Sequence, residues 1–160
     1  MRPDTYSGTT IAISDTLPDT TDAAGYAAIE ASFVTGDCAV KEVPELMRTW
    51  DPVANDVVCE NTSYDAKGGA KWANPTYKLN RFPSDAAQAI YEAMEADPAG
   101  VASFRVVIAG NSGVSGTIYF TAQVMKFSMM DGGGKNTIHT STVELCLQSD
   151  PVFVPTPPAT

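Results

Sequence analysis

The chain has 160 residues, 44% hydrophobic and 18% charged: enough apolar side chain for one core, and too little charge for a disordered polymer. Nineteen acids against ten bases give a net charge of −9. That disfavours general nucleic-acid binding, whose affinity comes from Lys and Arg on phosphates. No apolar run approaches the ~20 residues of a membrane helix. The start, Met1-Arg2-Pro3-Asp4-Thr5, lacks the apolar stretch of a secretion signal, so synthesis and retention in the cytoplasm are expected.

Residues 1–9 read as an arm in which Tyr6 is the one large apolar group. Thr10 to Ser14 alternates with period two and predicts a strand. Asp22 can cap a short helix over Ala23–Ile29, although Gly25 weakens it. Ser32-Phe33-Val34 and Ala39-Val40 are short strand candidates broken at Gly36-Asp37. Between residues 46 and 62, two strands are expected around an Asp51-Pro52 turn. Lys67-Gly68-Gly69-Ala70-Lys71-Trp72 reads as a loop by composition, and Thr76 to Arg81 as a strand.

The clearest helix spans residues 85–96 behind Ser84 as cap. Ala87, Ile90, Tyr91 and Met94 share one face, with Gln88, Glu92 and Glu95 on the polar side. Asp97-Pro98 stops it, because a residue before proline leaves the helical region. Strands follow at Ser103–Ala109, Thr117–Phe127 and Thr137–Gln148, with turns at Gly110–Gly116 and Asp131–Asn136. Residues 151–160 hold four prolines and read as a tail. The pattern predicts a mainly β chain with one main α-helix, an antiparallel sandwich or barrel with the helix on its flank.

Catalytic and metal motifs are missing. Gly132-Gly133-Gly134-Lys135 continues with Asn136, not the Ser or Thr of a phosphate loop. His139 is the single histidine, and no G-x-S-x-G surrounds Ser112 or Ser115. Cys38, Cys59 and Cys146 lack metal or disulfide spacing and are expected as buried free thiols. Asn61-Thr62-Ser63 fits a glycosylation acceptor that carries no weight without a secretion signal. No catalytic residue, cofactor or metal is therefore expected.

Charge is uneven. Residues 1–60 hold 11 acids and 3 bases, whereas residues 64–81 set Asp65 against Lys67, Lys71, Lys78 and Arg81. This is either a solvated surface or a complementary pair of faces that meet between copies.

Several segments appear in a familiar order: Gly8-Thr9-Thr10-Ile11-Ala12-Ile13-Ser14, then Asp22-Ala23-Ala24-Gly25-Tyr26, then Lys67-Gly68-Gly69. After them come Asp85-Ala86-Ala87-Gln88-Ala89, Phe104-Arg105-Val106, Tyr119 to Met125 and Thr142-Val143-Glu144-Leu145. Over residues 8–154 this order resembles the tail tube, or major tail, protein of long-tailed bacteriophages. The resemblance implies a domain over residues 10–150 that closes into hexameric rings, with rings stacked into a tube inside the virion tail. It implies a tape-measure protein in the lumen, tail-tip or baseplate and terminator proteins at the ends, and DNA passing without specific binding. No membrane partner is implied.

By position, the resemblance makes residues 46–75 an inter-ring loop or hairpin, and residues 1–9 and 151–160 joining arms. It places contacts between copies at Tyr6, Lys67, Gly68, Gly69, Lys71, Trp72, Val152 and Phe153. The Pro155-Thr156-Pro157-Pro158 end departs from the family's pattern. A contractile or secretion tube shares the same implied fold. The alternative is a monomeric β-sandwich that binds carbohydrate, with Trp50, Trp72, Tyr64 and Tyr77 as a stacking surface.

Overall fold

Period-two alternation produces most of the sheet, and one amphipathic helix fills its hollow. The computed structural model describes residues 8–36, 40–55, 64–110 and 113–156. In chain order the elements are β1 (Thr10–Ser14), α1 (Ala23–Ala28), a 3-10 turn (Glu30–Ser32), β2 (Val34–Thr35), β3 (Arg48–Asn55) and β4 (Tyr64–Trp72). Then come β5 (Thr76–Asn80), α2 (Ala86–Ala96), β6 (Val101–Gly110), β7 (Gly113–Phe127), β8 (Thr140–Leu147) and β9 (Val152–Pro155). No helix among the described residues is long and apolar enough to cross a membrane.

The main sheet runs β2-β1-β6-β7-β8-β5, and its pairs are antiparallel. β9 shares an edge of β7 with β8. β8 pairs with Ala122 to Phe127 and β9 with Gly116 to Tyr119. The sheet curls into a half-barrel. The stretch that pairs with β1 at Val34–Thr35 reaches the opposite edge at Val40, which bridges Leu79 of β5.

α2 lies in the hollow against β7, β1 and β2. Tyr91 stacks on Phe127 at 5.5 Å, and Phe104 stacks on Phe120 at 5.2 Å beside it. Ile13, Val143, Leu145 and Tyr77 complete this apolar core. Burying each such side chain stabilises the fold by about 1.5–3 kcal/mol. The hydroxyls of Tyr77 and Tyr91 satisfy each other at 2.5 Å, and burial pushes both phenols up.

A second layer packs on the outer face. Tyr26 of α1 is fully buried and stacks on Tyr119 of β7 at 5.2 Å. Glu30 accepts from the Tyr119 hydroxyl and pairs with Arg105, whose guanidinium lies over Phe33.

Several sequence expectations change. α2 is capped by Asp85, whose Oδ1 accepts from the Ala87 N–H at 3.0 Å, not by Ser84. Gln88 is buried, not on the polar face, because its amide ties α2 to the end of β5 and the segment that follows it. Its Oε1 accepts from the Phe82 N–H and its Nε2 donates to the Asn80 carbonyl.

Asp51-Pro52 is not a turn between two strands: both residues lie inside β3, where Asp51 faces a bulge at Gly68-Gly69 of β4. Residues 64–72 are strand β4 and not a loop, because pairing with β3 satisfies a backbone whose composition gave no alternation. The C-terminal segment is not a free tail throughout: Val152–Pro155 pairs with β7, with proline confined to the strand's end. A bulge at Val124–Lys126 shifts the phase of β7, so Phe127 turns inward and Met125 is left exposed.

Candidate functional site

The β3–β4 ribbon forms a sheet of its own beside the half-barrel. Its register sets Arg48 opposite Trp72 and Trp50 opposite Ala70, and after the bulge Pro52 opposite Lys67. Cations and aromatic rings therefore interleave. The Arg48 guanidinium sits 5.2 Å from the Trp50 ring centre and 5.7 Å from that of Trp72. The Lys67 ammonium sits 5.4 Å from the Trp50 ring. Each exposed cation–π contact contributes about 0.5–1 kcal/mol. Trp50 remains 43% exposed, so the ladder is an open surface.

Lys71 pairs with Asp51 at 3.9 Å, and Gly68 lets β4 approach the Asp51 backbone and Val53. Among the described residues, no carboxylate lies within 4.0 Å of Arg48 or Lys67.

The ribbon is tied to the body at its root. Trp72 Nε1–H donates to Asp150 Oδ1 at 2.7 Å, and the Ala73 N–H donates to the Met47 carbonyl. Asp150 lies in the turn between β8 and β9. Next to it, Ser149 takes the Thr121 N–H and hydroxyl at 2.9 Å each and contacts the Tyr26 hydroxyl. The structure thus brings Trp72 to the turn that leads into Val152 and Phe153. Lys67, Gly68, Gly69 and Lys71 lie further out along β4. Phe153 is 56% exposed and lies across Gly116, where a Cβ would strike its ring. Tyr6 lies outside the described residues.

The β7–β8 connection is a second exposed feature, one that sequence reading took for a plain turn. Asp131 anchors it by accepting from Ser128, Thr140 and Thr142, and these bonds, that to Ser128 first, hold its carboxyl below the ordinary value. Around this anchor Met129, Met130 and Ile138 are exposed, beside an open cleft lined by Gly132 to Gly134 and His139. Runs of exposed apolar side chains on a glycine loop carry no periodicity that could have flagged them.

The other sequence candidates disperse. Cys146 is half-buried and faces away from the core, whereas Cys38 and Cys59 lie outside the described residues, as does Asn61-Thr62-Ser63. Tyr77 is 1% exposed, which removes it from any stacking surface for sugar. Among the described residues, no three His, Cys, Asp or Glu side chains gather as a metal site.

No family model matches the chain, and no curated protein matches it in sequence. The fold does match solved structures. A chain of the anti-feeding prophage baseplate superposes with a TM-score of 0.69 at 12% identity, over 96% of this chain and 97% of that one. The SPP1 tail tube gives 0.64 at 11%, covering 96% and 80%. A chain of the sheath–tube complex of the PVC extracellular contractile injection system gives 0.62 at 9%, covering 96% and 93%. The chain has the tail-tube fold. The ribbon stands as a separate sheet, whereas β9 adds to the main sheet along β7, and among the described residues neither contributes to the core cluster.

Proposed function

We propose that this chain is a non-enzymatic structural subunit that self-associates into stacked rings and so builds a tail tube. The observation that carries this is a superposition over 96% of the chain onto tube and baseplate chains of three tail-like devices. Rings of six would close side by side, and DNA would pass through the lumen in a virion tail assembled in the host cytoplasm. Net charge −9 suits such a conduit, because like charge keeps a polyanion off the wall.

An open antiparallel sheet has free edges, and pairing them between copies closes rings by strand addition. Head-to-tail contacts that do not close then stack without limit. In this reading the ribbon with Lys67, Gly68, Gly69, Lys71 and Trp72, the arm with Tyr6, and β9 with Val152 and Phe153 join ring to ring. A tape-measure protein and tip, baseplate and terminator proteins would be the other partners.

Negative-stain electron microscopy of concentrated protein, beside light scattering, tests it. Rings or hollow tubes of uniform width are expected, and a clean monomer at every concentration counts against the reading. One of the three structures belongs to a contractile injection system with a named sheath, which favours a contractile tube as the second reading. Capture of a sheath subunit by assembled tubes would decide for it.

A further inference from the structure

The cation–aromatic ladder of the ribbon has a counterpart on the same chain. Residues 8–36 contain Asp15, Asp19, Asp22 and Glu30 and no Lys or Arg. Glu30 is taken up by Arg105, and Asp22 by the α1 cap. Asp15 and Asp19 remain exposed, and Leu17 between them is 49% exposed. Leu17, Ala24, Ala28 and Ile29 line a shallow groove of about 440 Å³ with Asp19 at its rim. Among the described residues, one surface thus offers two cations with no carboxylate within 4.0 Å, set on two indole rings, and the other an apolar trough lined by Asp19, with Asp15 exposed on the same turn.

We infer that the Arg48–Trp50–Lys67–Trp72 face of one copy docks on the β1–α1 turn and α1 groove of a second copy. This rests on the tube reading and names the surface that receives the ribbon. The Arg48 and Lys67 charges are opposite in sign to Asp15 and Asp19, and the apolar parts match as ring against trough, a combination that fixes orientation and suppresses wrong partners. Trp and Arg are also the residues that most often dominate interface energies. The two surfaces are different parts of the chain, so the contact is heterologous and propagates. Salt weakens it, since both charge pairs sit near solvent.

Charge exchange tests it, read as the concentration at which light scattering and electron microscopy first show assembly. Arg48→Glu with Lys67→Glu should raise that concentration about tenfold or more, because attraction becomes repulsion. Asp15→Lys with Asp19→Lys should do the same. The four changes together should restore assembly to near the wild-type concentration. Far-UV circular dichroism checks folding, and the Asp15/Asp19 variant does not touch the ribbon, so it stands even if the ribbon variant misfolds. Wild-type behaviour of the Asp15/Asp19 variant overturns the docking and leaves the tube reading intact, as does failure of the four-fold variant with its ribbon folded. A wild-type chain that never assembles overturns both.

Discussion

Gly25 sits inside α1, where glycine ordinarily weakens a helix by about 1 kcal/mol relative to alanine. Here it is needed, because a Cβ at this position would run into the Thr20 carbonyl and side chain. Backbone cannot give way as a flexible side chain can. Gly25→Ala should therefore destabilise the fold by about 1–3 kcal/mol despite its better propensity. Thermal unfolding checks this, at about 2–4 °C per kcal/mol for a chain of this size.

Asp131 carries the opposite kind of lesson, a charge whose value comes from partners distant in sequence. Its carboxyl is held below its ordinary value by the Ser128, Thr140 and Thr142 hydroxyls. A depressed carboxyl stabilises the fold fully above its unfolded value, and that stability drains away as pH falls through the lower folded one. Asp131→Asn should flatten the acid limb of a stability–pH curve below about pH 4, the ordinary range of an Asp carboxyl. Equal limbs in the two proteins would show that the anchor contributes nothing.

At the scale of elements, the β3–β4 ribbon behaves as an attachment. It has no share in the core cluster apart from what precedes it at Leu46, and its root is held by the Trp72–Asp150 bond. A hydrogen bond to a charged acceptor contributes about 1.5–3 kcal/mol to the geometry it fixes. Trp72→Ala should leave the melting temperature of the body within a few degrees of wild type while assembly is lost. Urea melts and electron microscopy on one sample separate the two effects, and normal tubes from Trp72→Ala would refute the ribbon's role in joining rings.

The same ribbon shows why composition misleads for short exposed strands. Gly68 and Gly69 read as punctuation, and Asp51-Pro52 as a turn. In the fold the two glycines form the bulge opposite Asp51, and Gly68 lies so close to the Asp51 carbonyl and Val53 that a Cβ would strike them. β9 was hidden for a similar reason, since prolines around Val152-Phe153-Val154 argued for a tail. Pairing of those residues with β7 outweighs local preference.

For the whole molecule, apolar period alone was enough for β1, β5, β6, β7, β8 and α2, because each buries one face against the same hollow. Ile11 and Ile13, Tyr77 and Leu79, Phe104 and Val106, and Val143 and Leu145 all show the two-residue repeat of a half-buried strand. The order of these segments also pointed to the tail-tube fold that the superpositions show.

Assembly belongs to this scale too, and there the sequence offered only a charge asymmetry. Tertiary structure decided which charges remain for a partner. Arg105 and Arg81 are consumed by Glu30 and Glu92 within the body, and Lys71 by Asp51, whereas among the described residues Arg48, Lys67, Asp15 and Asp19 have no ion-pair partner. The physical reason is range. A strand's inward face is written in residues two apart, but an ion pair such as Arg105 with Glu30 joins residues 75 apart and exists only once the segment after α1 has packed on β6.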